Sequence, residues 1–232
     1  MKKILSLFGL TVIIMFTSCG GRSFTKSPVD EMIRDMGNAT TFSIILYDMD
    51  ESGTFFKNYK HKYRIIKEIN EVIDEKMTDW VEVSKDFFYK NENNMGMEIA
   101  SKGQDGKISK VASPPGYSNY VGNSRYGQWN NSGGTSFWVF YGQYAMMRSL
   151  FNMGSYPAYR NSWNNYNTSY RGRTPYYGTK TASGSRFGTS SAYNKKTNPG
   201  SRFSSKFSQN SRSGSRFNSK FSSRSRSGGF GK

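Results

Sequence analysis

Apolar side chains at Val29, Met32, Ile33 and Met36 repeat at i, i+3, i+4, i+7, which predicts a helix over residues 29–36 with one buried face. Asp30 and Glu31 in its first turn suit the helix dipole, and Gly37-Asn38 supplies a stop. Residues 41–49 are rich in β-branched and aromatic side chains and predict a strand. Asp50-Glu51-Ser52-Gly53 then turns, and residues 54–69 predict one or two further strands. A short strand is expected over 79–83, and a hairpin from 95–102 and 107–112 around Gly103-Gln104-Asp105-Gly106. Pro114-Pro115-Gly116 interrupts regular structure, and the Gly-, Asn- and Tyr-rich segment 117–129 is expected to wrap over the sheet as an ordered loop. Phe137, Phe140, Tyr141, Tyr144, Met147 and Phe151 share one face at helical spacing, predicting a second helix over 136–151 whose stripe packs into the core. Strands flanked by two helices give an α+β class with a small antiparallel sheet.

From residue 154 the pattern stops. Leu, Ile, Val and Met vanish, and Ser, Gly, Asn, Arg, Lys, Tyr and Phe take their place. Such a segment buries too little to offset its ordering entropy, so 154–232 is expected to be a disordered, low-complexity tail. It repeats: Ser201-Arg202-Phe203-Ser204-Ser205-Lys206-Phe207-Ser208 returns as Ser215-Arg216-Phe217-Asn218-Ser219-Lys220-Phe221-Ser222, with a shorter echo at Gly184-Ser185-Arg186-Phe187-Gly188. The globular part is thereby set at 29–153.

Charge sharpens the division. All 16 Asp and Glu lie at or before Asp105, where they nearly balance the Lys and Arg, and the formal net charge of +17 comes from the residues after Asp105. A chain so biased seeks phosphate, anionic lipid, acidic glycan or nucleic acid. The cations alternate with aromatic residues, and the candidate polyanion contacts are Arg186, Arg202, Lys206, Arg212, Arg216, Lys220, Arg224 and Arg226. This resembles the Arg/Gly/Ser-rich tails of RNA-binding proteins. The tail can also lie on the domain's own acidic face, masked until a stronger polyanion arrives.

The N-terminus argues against nucleic acid. Lys2 and Lys3 precede an apolar run over 4–16, too short to span a bilayer and suited to the core of a secretory signal. The pair before an ordinary cleavage site would be Phe16 and Ser18, and Phe is too bulky. Phe16-Thr17-Ser18-Cys19 instead resembles the lipobox of bacterial lipoproteins, with Phe at −3 where Leu is commoner. That resemblance implies a signal peptide over 1–18, acylation of Cys19 and a lipidated tether over 19–28. Gly20 rather than Asp after the Cys implies the outer membrane, and the absence of an acidic export run points to a periplasm-facing anchor. Cys19 is the sole Cys, so no intramolecular disulfide can form.

Catalysis finds little support. His61, the single His, sits between Lys60 and Lys62 in a strand-like stretch and is expected to be solvated. Asp74 and Glu75 fall in a charged run typical of a solvated face. Asp48-Met49-Asp50-Glu51-Ser52-Gly53 opens like a calcium loop, but Tyr59 stands where the bidentate Glu belongs. A hairpin turn accounts for it better. No phosphate-cradling loop, nucleophile elbow or kinase signature is present. The block from Pro114-Pro115-Gly116-Tyr117 through Tyr120-Val121-Gly122-Asn123 to Phe137-Trp138 looks like a family signature. The expectation is a non-enzymatic envelope lipoprotein without cofactor or metal. Its partners are anionic phospholipid, lipopolysaccharide or a cell-wall polymer. Two alternatives stand beside it. Trp163, Asn164-Asn165-Tyr166-Asn167, Tyr170 and Tyr176-Tyr177 can stack on glycan, or the tail is a passive spacer.

Overall fold

A computed structural model describes residues 27–182 and 184–207. The signal peptide, Cys19 and most of the tether lie outside them, as do Arg212, Arg216, Lys220, Arg224 and Arg226. The fold is α+β. A helix, α1 (Pro28–Asp35), leads into β1 (Thr41–Ser52), β2 (Asn58–Ile69), β3 (Val72–Met77) and β4 (Val81–Glu82). After α2 (Lys85–Lys90) come β5 (Glu98–Lys102) and β6 (Ile108–Ser109). These strands form one antiparallel sheet in the order β3-β2-β1-β5-β6, with β4 also paired to β2.

β1 lies inside the sheet and is buried on both faces, so it reads as a continuous apolar and small-residue run. Phe42, Ile44 and Leu46 enter one core, while Ile45 enters the other. At Tyr47 a bulge interrupts the pairing with β2, since Leu46 faces Tyr63 but Asp48 faces Lys62. The extra residue reverses the alternation, which is why Met49 rather than Asp48 points into the first core. β2 and β3 are joined by Asn70-Glu71, both at positive φ (49° and 66°), the two-residue geometry that matches strand twist. β3 is not announced by the sequence pattern. Its Asp74 and Glu75 are exposed on an edge strand, where Glu75 pairs with Arg64 at 3.0 Å and Asp74 with Lys67 at 3.5 Å.

Helices cover one face of the sheet and an aromatic layer covers the other. Val29 and Met36 from the α1 region and Phe88 from α2 close the first core. On the second face, the loop expected over 117–129 wraps as far as residue 126 and buries Tyr117, Tyr120, Val121 and Tyr126, while 127–129 already belong to a strand. It is pinned by Asn119 Nδ2, which donates to Phe42 O at 2.9 Å. Gly116 (φ 81°) and Gly122 (φ 79°) let it lie flat. A Cβ at Gly122 would sit 2.4 Å from the Trp163 ring, and one at Gly116 2.8 Å from Phe151. Glu68, 1 % exposed, anchors the other end, accepting from Thr41 Oγ1, Tyr126 OH and Arg125.

Two expectations are corrected. The helix expected over 136–151 is not one element. β7 (Gly127–Ser132) and β8 (Thr135–Phe140) form a hairpin around Gly133-Gly134, and helical structure follows only at the far end, as a 3-10 turn (Gly142–Tyr144) and α3 (Met146–Leu150). Thr-Ser-Phe-Trp-Val-Phe favours a strand, and the Gly-Gly turn gives it a partner, so local pairing overrides an aromatic spacing that also fits a helix.

The second correction moves the domain boundary from 153 to at least 207. Residues after 154 continue into α4 (Arg160–Asn165), a π-helical turn (Tyr166–Tyr170), a small pair β9 (Lys180–Thr181) and β10 (Gly184–Ser185), α5 (Ala192–Thr197), and a final helical turn over 202–207. The missing aliphatic residues are replaced by aromatics. Tyr166 and Tyr176 complete the second core, and Phe187 and Tyr193 join Met97 and Ala112 in a third cluster.

Each buried aromatic contributes up to about 1.5–3 kcal/mol. Four of them together match the whole stability of a typical domain, about 5–15 kcal/mol. A chain ending at Met153 is therefore expected to lose cooperative thermal unfolding by circular dichroism, whereas one ending at Phe207 keeps it. A sharp transition in the shorter chain would restore the boundary at 153.

Candidate anion-binding groove

α4 and the π-helical turn hold Arg171 at the end of a helical run, just before Gly172. Its guanidinium is braced twice, donating to Asn167 Oδ1 at 3.0 Å and to Ser118 O at 2.8 Å. Of five N–H donors, three remain for a ligand. Lys107 and Lys110 lie across from it in a groove of about 470 Å³ also lined by Ser118, Asn119 and Tyr166. Asp105, paired with Lys107 at 3.3 Å, is the one carboxylate in its lining. Lys110 also pairs with Asp30. An adjoining cleft of about 360 Å³ shares Ser118, Asn119 and Arg171 and extends past Asn123 and Asn167 to Trp163. The two together form a track of hydrogen-bond donors in which Arg171 is the cation not paired with a carboxylate, a surface that takes phosphate or carboxylate oxygens along an extended ligand.

A hydroxyl chain runs beneath this groove. Ser118 Oγ lies 3.0 Å from Tyr166 OH and 3.0 Å from Ser113 Oγ, which donates to Glu98 Oε1 at 3.4 Å. Glu98 is 1 % exposed, and its Oε2 has no partner among the described residues. Burial pushes its pKa up, with nearby Ser118, Ser43 and Ser101 only partly opposing the shift. Glu98 is not among the residues expected from sequence, although a carboxylate inside Met97-Glu98-Ile99-Ala100 is the kind of signal that marks a buried acid. In the sequence Arg171 is only one tail cation among many.

Of the expected polyanion contacts, three fall among the described residues, and they do not come together in this groove. Arg186 is half-buried, stacked 5.1 Å from the Tyr159 ring and 5.8 Å from Tyr156, with Nη2 donating to Pro157 O at 2.9 Å. It acts as a strut between segments. Arg202 and Lys206 are exposed and line a separate cleft of about 530 Å³, facing Asp50, Glu51 and Glu92. The residues expected to stack on glycan are largely engaged internally. Tyr166 and Tyr176 are buried, Tyr177 OH donates to Asn94 Oδ1 at 2.8 Å, and Trp163 lies on Gly122 with Nε1 donating to Tyr117 O at 3.3 Å. The exposed edge of this set is Asn164, Asn165 and Asn167.

Two sequence readings change on contact with the geometry. Asp48 and Asp50 lie within β1 rather than in a turn, which begins at Gly53. Asp48 Oδ1 accepts from Met49 N and from Ser201 Oγ. His61, expected to be solvated, is fully buried. Its Nδ1 lies 2.9 Å from Tyr63 OH, and its ring packs 5.4 Å from Phe88 and 5.6 Å from Phe87. The flanking lysines hid this, because alternation along β2 turns Lys60 and Lys62 away from the face that buries His61. Among the described residues no group of three or more His, Cys, Asp or Glu is placed to hold a metal ion. Comparison with protein-family models, curated proteins and solved structures yields no match to this chain.

Burial lowers the His61 pKa to about 3 from its ordinary 6.5. The unfolded chain takes up this proton near pH 6.5 and the folded chain only near 3, so stability is full above 6.5 and is lost as pH falls through that interval. The loss is at most about 1.4 kcal/mol per pH unit. Glu98 works oppositely, because its raised pKa gives a contribution present below the ordinary carboxylate range and lost as pH rises above it. Denaturant unfolding from pH 7 to 4 is expected to show a shallower acid limb in His61→Phe than in wild type, and a steeper one in Glu98→Gln. Parallel limbs in all three would contradict both assignments.

Proposed function

We propose that the protein is a non-enzymatic envelope lipoprotein, anchored through acylated Cys19, whose carboxylate-free C-terminal part binds anionic envelope polymers such as lipopolysaccharide or anionic phospholipid. The observation that carries the reading is Arg171, braced by Asn167 and Ser118 with donors to spare, beside Lys107 and Lys110 in one groove. Charge balance supports it further. Among the described residues, Arg148, Arg160, Arg171, Arg173, Lys180, Arg186, Lys195, Lys196, Arg202 and Lys206 make no ion pair with a carboxylate. The folding of residues 154–207 also argues against a passive spacer over that part of the chain. The internal engagement of Tyr166, Tyr176 and Trp163 leaves few free ring faces for glycan stacking.

Near an anionic surface each basic residue contributes on the order of 1 kcal/mol. Replacing Lys107, Lys110 and Arg171 by Ala together is expected to weaken binding to lipopolysaccharide or phosphatidylglycerol vesicles by roughly 100-fold at low salt, with the circular dichroism spectrum retained. The wild-type affinity should fall steeply with ionic strength, and the triple variant should show a shallower dependence. Equal affinities and slopes would remove the groove from the reading, and binding indifferent to salt would favour stacking on sugar. The anchor has its own readout. Metabolic labelling with a fatty acid is expected to mark the wild-type chain and not Cys19→Ala, and the variant should leave the membrane fraction. An unlabelled wild type would overturn the envelope address while leaving the groove to be judged by its own binding.

A further inference from the structure

The last described turn, 202–207, sits in a seat built by distant parts of the chain. Phe203 packs edge-on at 5.3 Å against Phe88, which is fully buried in the first core. Ser201 Oγ donates to Asp48 Oδ1 at 2.7 Å and accepts from Ser204 N at 3.1 Å, capping the turn. Ser204 Oγ donates to Thr189 O at 3.0 Å and accepts from Asn194 Nδ2 at 3.2 Å. Both serines are almost fully buried, at 2 % and 3 % exposed. Arg202 and Lys206 project the other way, into the cleft bearing Asp50, Glu51 and Glu92. The seat thus reads a pattern: Ser as cap, Phe into the core, Ser against Thr189 and Asn194, and two cations toward carboxylates.

That pattern occurs twice in this chain. Residues 215–222 repeat 201–208 at seven of eight positions, with Asn218 in place of Ser204 as the single change. Asn keeps both a donor for Thr189 O and an acceptor for Asn194, but it is larger at a position with almost no free surface. The second copy is therefore a usable ligand for the seat and a weaker one. The two copies are offset by 14 residues. A flexible link of that length spans roughly 20 Å root-mean-square, ample to loop out while the later copy returns to the same place. The shorter echo at Ser185-Arg186-Phe187 shares only part of the rule: its Phe is buried, but its half-buried Arg stacks on Tyr156 and Tyr159 instead of facing carboxylates.

We propose that this seat is a receptor for the Ser-Arg-Phe-x-Ser-Lys-Phe-Ser pattern and that residues 215–222 of the same chain are its second occupant, exchanging with 201–208. One copy is then held with its cations facing Asp50, Glu51 and Glu92, and the other is released with its cations free for an anionic partner. The inference stands on the seat and the repeat and does not require the lipid anchor or the Arg171 groove.

A double-variant cycle in the full chain tests it. Phe217→Ala alone is expected to leave the urea midpoint unchanged, because 201–208 holds the seat. In a Phe203→Ala background the same Phe217→Ala change lowers the midpoint further, because the second copy has taken over. Asn218→Ser in the Phe203→Ala background raises it. Phe203→Leu serves in the same cycle if the Ala variant does not fold. Phe217→Ala silent in both backgrounds, or equally harmful in both, overturns the proposal. So does a contribution from Phe217 that grows with protein concentration, which would place the second copy on another molecule.

Discussion

Aromatic burial by the segment after residue 154 is the constraint on which the rest of this structure depends. The second face of the sheet is covered largely by rings, and Tyr117, Tyr120 and Tyr126 are joined there by Tyr166 and Tyr176 from later in the chain. Tyr166 meets Tyr117 at 5.7 Å and Tyr176 at 5.8 Å, and Phe187 meets Tyr193 at 5.0 Å and Tyr117 at 6.1 Å. These edge-on and tilted contacts suit the ring quadrupole and add to what area burial alone supplies. They also position everything with candidate function. Tyr166 sets the π-helical turn that places Arg171, and Tyr193 lies in α5, from which the chain runs on to the seat of Phe203.

Legibility in the sequence depends on the kind of side chain involved. α1 and, apart from β3, the strands up to β6 are readable, because Val, Ile, Leu and Met carry their periodicity. The β5–β6 hairpin around Gly103-Gln104-Asp105-Gly106 lies where turn chemistry predicts it. Past residue 153 the core is written in Tyr and Phe among Ser, Asn and Gly, a composition shared with unfolded low-complexity tails. Phe137 through Phe151 fit a helix by spacing, yet the first part of that run is a strand because Gly133-Gly134 supplies a hairpin partner. Residues 154–207 are poor in aliphatic side chains, so a hydropathy argument finds nothing to bury. What it misses is that four rings are enough when an existing sheet face receives them.

The site is legible in charge and illegible in place. That the chain carries unbalanced cations after Asp105 needs only the sequence. Which of them act as struts and which face outward is set by tertiary packing: Arg186 is a strut on Tyr159, while Arg171, two residues before another Arg, is the braced centre of a groove. The buried groups, His61, Glu68 and Glu98, are hidden for a different reason. Each occupies one position of a strand, and a single strand does not reveal which face has a covering layer.

Of the cations after Asp105, Lys107, Lys110 and Arg125 reach carboxylates earlier in the chain, and the described ones from Arg148 onward are held by other means. Arg160 lies over Trp129 at 5.8 Å, and Arg186 lies among Tyr156, Tyr159 and Phe187. Backbone carbonyls take Arg171 and Arg173, at Ser118 and Thr168. Ring faces and carbonyls stabilise a guanidinium without cancelling its charge, the ring contacts contributing about 0.5–1 kcal/mol each at exposed sites. The aromatic richness of this half therefore serves two ends at once, since the rings fill the core and hold the arginines in place. Positive charge that is fixed in position but not neutralised is the physical condition for binding a polyanion, because ordering has already been done and the Coulombic attraction remains available. A half-domain balanced by carboxylates would hold its arginines equally still and have little left to offer a phosphate.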